Sequence, residues 1–182
     1  GAWARRMAAE QFRLIQDKLE IASARSENET LLLALAYAGL GMVAALETSS
    51  RIQKADWQVD PELERLTAVH AYTDHSRNLA DAIKDNRTRT IILAAANHSD
   101  GFAQLQLENE EAARDLLQQA INERRDYPVP YVHLANTYDK GSDEAITWFK
   151  KALAIQPGFA FGWFQLGQAY DKRGKDDAIW QE

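Results

Sequence analysis

The chain has 182 residues, 46% hydrophobic and 26% charged, with four prolines, nine glycines and no low-complexity segment, the make-up of one ordinary soluble domain. A net charge of −6 and a pI near 5.3 argue against a surface for phosphate groups, which needs clustered Lys and Arg, so no nucleic-acid partner is expected. The absence of cysteine excludes disulfides, thiolate catalysis and cysteine metal sites; it leaves the compartment open, with the cytoplasm slightly favoured.

In chain order, a first helix is predicted over roughly Ala2 to Ala24, with Met7, Ile15 and Leu19 near one packing stripe and Arg5, Arg6 and Arg13 on a solvated face. Leu31 to Leu46 resembles a membrane span. At 16 residues, with Glu29 and Glu47 near its ends, it falls short of the about 20 that a bilayer needs. It therefore predicts a buried helix pair and no direct membrane span. Leu33-Ala34, Tyr37 and Gly41 keep one helical spacing, and Ala45 onward runs through Ile52 to Pro61, so 28–61 reads as a degenerate helix pair. Pro61-Glu-Leu-Glu opens the next pair, which Lys84-Asp-Asn-Arg-Thr88 divides before the apolar run Ile91 to Ala96. Gly101 then begins a further unit, whose second helix carries Ala113, Leu117 and Ala120 behind a cap at Asn109.

The last third of the chain repeats itself. Tyr131, Leu134, Ala135 and Tyr138 return as Trp163, Leu166, Gly167 and Tyr170, each 32 residues later. A period of this length marks stacked supersecondary units. Between the blocks lie a polar turn, Asp139-Lys-Gly141-Ser142, and a helix over Asp143 to Ile155 with acids in its first turn; Pro157-Gly158 ends it.

These residues resemble the tetratricopeptide repeat family. Tyr131, Leu134, Ala135, Tyr138, Ala145, Phe149, Ala152 and Pro157 fill the family's slots in one unit, and Trp163, Leu166, Gly167, Tyr170, Gly174 and Ala178 fill them in the next. The departures are a period of 32 in place of about 34, a last unit that stops inside its second helix, and Asp100 where Leu is usual. The resemblance implies an all-α, right-handed superhelical solenoid of antiparallel helix pairs. It covers one domain over 1–182: an N-terminal helix to residue 27, degenerate pairs over 28–98, and repeats over 99–182.

The resemblance also implies a concave groove lined by the first helix of each pair, where a protein or peptide partner binds. Carried onto this chain, its positions are His98, Phe102 and Leu105 in one unit, Val132, Asn136, Asp139 and Lys140 in the next, and Phe164, Gln168, Asp171 and Lys172 in the last. The family's carboxylate clamp is not supported, because Val132, Phe164 and Gln168 stand at its basic slots. No phosphate loop, serine elbow or zinc-protease spacing occurs, and His70 with Asp74 reads as a surface pair on one helix. No catalytic residue, metal or cofactor is expected. The expected function is a non-catalytic adaptor or scaffold; the alternative is a structural subunit or assembly factor of a larger complex, membrane-attached or not. Aromatic residues crowd the C-terminal quarter from Trp148 to Trp180, so an uncapped solenoid end there would favour self-association or a covering partner.

Overall fold

The computed structural model describes residues 2–20, 25–51 and 61–179, so Ala24, Ile52 and Trp180 lie outside it. It consists of helices α1 (Ala2–Glu20), α2 (Glu27–Arg51), α3 (Pro61–Asp81), α4 (Asn86–Gln106), α5 (Glu110–Glu123), α6 (Pro128–Ala135), α7 (Asp143–Ile155) and α8 (Ala160–Ile179). No strand occurs among the described residues.

Local chemistry fixes the helix starts. Ser26 and Glu29 form a reciprocal box at α2: the Ser26 amide donates to Glu29 Oε2 at 2.8 Å, and the Glu29 amide donates to Ser26 Oγ at 3.3 Å. Asp85 accepts from the Thr88 amide at 2.7 Å to open α4, and Ser142 accepts from the Ala145 amide at 3.1 Å to open α7. Pro128 opens α6, where a missing N–H costs nothing.

Consecutive helices pair antiparallel. In α2 and α3, Ala34 O accepts from Ser76 Oγ at 2.8 Å, while Gly41 lies beside Thr73 and the Val69 carbonyl. Helices α2 and α4 instead run parallel, since Ala34 and Ile92 share one apolar cluster, Ala38 O accepts from Ser99 Oγ at 2.9 Å, and Ala45 and Phe102 share the next cluster along. Helices α4 and α6 continue that row through His98 and His133, and α8 extends it through the contact of Phe161 with His133. Thus α2, α4, α6 and α8 line one side as first helices, and α3, α5 and α7 back them as second helices. The largest apolar cluster joins α5 to α8 around Leu117, Val132, Phe149 and Leu166, with Phe149 1% exposed.

Three expected boundaries differ. The last unit, expected to stop inside a second helix, is the single helix α8 from Ala160 to Ile179, so Tyr170, Gly174 and Ala178 lie on one helix. Helix α2 is one helix, not a pair, because nothing between Leu31 and Leu46 breaks it. Its apolar window spans Glu27–Leu46, 20 residues and half buried, and α1, α3 and α4 pack around it. Helix α4 runs through residues 98 and 99, so Ile91 to Ala96 and Gly101 belong to one helix and the 28–98 and 99–182 segments meet inside it. Gly101 does not break α4; it makes room for Leu117, whose Cγ would stand 2.8 Å from an added Cβ. On α1, Ala9 and Phe12 carry the packing onto Leu40 and Val43, whereas Met7 is 38% exposed.

Candidate functional site

Four first helices turn one face toward a common groove of about 490 Å³. Leu35, Ala38, Met42 and Leu46 recur at steps of three and four on α2. Ala95, His98 and Phe102 do the same on α4, Val129 and His133 on α6, and α8 contributes Phe161. No charged side chain lines it.

Its polar side chains are Ser99, whose hydroxyl is turned to the Ala38 and Ala95 carbonyls at 2.9 and 3.0 Å, and a chain of three rings. Tyr127 Oη lies 2.9 Å from His98 Nδ1, and His98 Nε2 lies 2.9 Å from His133 Nδ1. The imidazoles stack with centroids 4.9 Å apart, Phe102 stacks on His133 at 4.5 Å, and Phe161 meets His133 edge-on at 6.3 Å. Burial disfavours the charged form of each group. It holds His98 well below the usual imidazole range, with the His133 charge adding to the effect, and pushes His133 down to about 4. Burial also raises Tyr127 to about 12 against the pull of the Arg124 guanidinium. Near neutral pH the chain is uncharged.

The structure disperses the residues carried over from the family pattern. His98 and Phe102 line the groove. Leu105 packs half-buried against the α5–α8 cluster, and Val132 is fully buried within it. Each residue turns a helix by about 100°, so when Val129 and His133 face the groove, Val132 points to the core. Asn136 caps α6 with its amide donating to the Val132 carbonyl at 3.2 Å. Lys140 Nζ donates to Gln168 Oε1, joining the α6–α7 turn to α8, while Asp139, Asp171 and Lys172 are exposed. Phe164 is 60% exposed but does not line the groove. His133, Tyr127 and Phe161 were not among the expected positions. Phe161 follows Val129 by the same 32 residues that relate the two blocks, so the period itself carried the signal.

A second polar cluster lies between α3 and α4. Asp100, 1% exposed, accepts from Thr73 Oγ1 at 2.9 and 3.0 Å, pairs with Arg77, and lies 3.1 Å from His70 Nδ1. His70 therefore partners Asp100 and not Asp74, whose carboxylate is held by Arg77 at 2.9 Å. No group of three His, Asp or Glu side chains is placed to hold a metal among the described residues.

Residues 148–181 match the tetratricopeptide repeat family model. No curated protein matches the chain by sequence. Among solved structures, the crystal structure of MamA protein is similar, with 22% identity, coverage of 94% of this chain and 86% of that one, and a TM-score of 0.46. The matched interval spans the second half of α7 and α8, which are the second helix of one pair and the first helix of the next. Over 148–181 the chain is similar to a tetratricopeptide repeat, and the described elements before it are all helices.

Proposed function

We propose that the protein is a non-catalytic adaptor or scaffold that takes a protein or peptide partner on the face formed by its first helices. One observation carries the reading: successive first helices contribute to a single apolar groove of about 490 Å³, within the size range of ligand sites. Extended surfaces of stacked repeats suit protein recognition. An apolar groove with aromatic walls supplies the anchors from which such recognition draws most of its energy.

The exposed aromatics of α8 support a second reading. Trp163, Phe164 and Tyr170 are 55%, 60% and 45% exposed and lie off the groove, so they suit a partner that covers the end of the array, as in a structural subunit. Two variants separate the readings. Phe161→Glu places a charge at the groove, and Phe164→Glu places one outside it. In a native pull-down read by mass spectrometry, loss of a discrete partner with the first variant only supports the groove. Loss with the second only assigns binding to the end face.

A further inference from the structure

We propose that the groove receives a tyrosine side chain of the partner, its ring lodged against Met42, Phe102 and Phe161 and its phenolic oxygen accepting a hydrogen bond from His133 Nε2–H. The proposal rests on the groove reading above and names the group recognised.

Three observations lead to it. The first is an unpartnered polar atom. His133 is 8% exposed and lines the groove, its Nδ1 is taken by His98, and its Nε2 has no partner among the described residues. Among the described residues no side-chain N or O is both sealed from solvent and without a partner, so Nε2 opens onto the groove. An apolar group seated over it would strand a buried donor at about 1–3 kcal/mol, which disfavours a plain hydrocarbon.

The second is the count of protons. Three neutral groups share two hydrogen bonds. If Tyr127 O–H donates to His98 Nδ1, then His98 Nε2–H donates to His133 Nδ1, and His133 presents Nε2–H to the groove. The reverse order would leave two groups unmet among the described residues, the Tyr127 hydroxyl proton and the His133 Nε2 lone pair, whereas the first order leaves only the His133 Nε2–H. The chain thus sets His133 as a donor, and the complementary ligand atom is an acceptor.

The third is shape and charge. Aromatic walls around an uncharged site suit a ring, and a carboxylate or ammonium would find no counter-charge among the lining residues. The volume of about 490 Å³ is roughly three times that of a cavity that takes benzene. It has room for a phenol ring and part of the chain that carries it.

The side-chain analogues p-cresol, toluene and 3-methylindole provide the test, titrated into the full chain with detection of the imidazole ¹⁵N resonances. Both histidines should appear as Nε2–H tautomers. We expect p-cresol to bind about tenfold tighter than toluene or the donor-only indole. His133→Phe keeps a stacking ring and should reduce the p-cresol advantage below about twofold. Should that variant fail to fold, Tyr127→Phe removes the hydroxyl that sets the direction of the chain and should also shrink the advantage. Equal affinity for toluene, preference for the indole, an Nδ1–H tautomer on His133, an advantage unchanged in the folded variants, or no saturable binding overturns the proposal. The Phe161→Glu pull-down keeps the two levels apart: partner loss there without p-cresol selectivity leaves the groove reading standing and removes the tyrosine.

Discussion

Asp100 stands where the repeat pattern has leucine, and its surroundings explain the exchange. Thr73, Arg77 and His70 converge on a carboxylate that is almost sealed from water, so α3 and α4 are joined there by a charge network where apolar packing is usual. Removing one partner of a buried pair strands the other. Asp100→Ala should therefore cost about 3 kcal/mol in urea unfolding, well above Asp74→Ala, which breaks an exposed pair. The histidine pair gives a pH prediction at the same scale. Both folded-state values lie below the free imidazole value of 6.5, so the unfolded chain takes up protons first as pH falls. Stability present above about pH 6.5 is lost progressively toward pH 4, and His133 alone accounts for about 2–3 kcal/mol of that loss. Urea midpoints measured at pH 7 and 4.5 should differ less in His133→Phe than in the wild type. Chain spacing foretold neither network, because residues 30 and 35 apart meet only after the helices pack.

Among the helices, glycine decides where backbones close up. Gly39 has Phe12 of α1 directly over it, with the ring 2.5 Å from where a Cβ would stand. Gly39→Ala should displace Phe12 and loosen α1 while the other helices hold, seen as several-fold faster tryptic cleavage at Arg13 or Lys18 with a smaller shift of the main unfolding transition. Gly141 has φ +103°, and its carbonyl accepts from Arg173 Nε at 2.8 Å. Gly141→Ala should cost about 1–2 kcal/mol, because an L side chain rarely adopts that backbone and this one would crowd the Arg173 amide. Helices α5 and α7 were legible from periodicity, first-turn acids and the Pro157-Gly158 stop, although Asn109 makes no side-chain capping bond and α8 runs on as one helix. The extents of α2 and α4 were not. Ala34 and Gly41, seven residues apart on α2, both face α3, so a first-helix spacing could be read in more than one register.

Across the whole molecule, α2 and α4 have neighbours on several sides, whereas α8 packs mainly on α7, and at Gly167 no atom lies within 4 Å of an added Cβ. In an array held by nearest neighbours, protection follows coverage. Hydrogen exchange should be slowest in peptides from α2 and α4 and fastest in the second half of α8; equal protection throughout would mean that the array opens as one unit. The sequence by itself determined that the chain is helical, that its last blocks repeat at 32 residues, and where α5 and α7 start and stop, because breakers, first-turn acids and 3.6-residue periodicity are local physics. Only the tertiary structure decided which face of each first helix meets the groove. A rotation of about 100° per residue makes His133 a groove residue and Val132 a core residue, and the choice between them is made by hydrogen bonds and packing to helices distant in sequence.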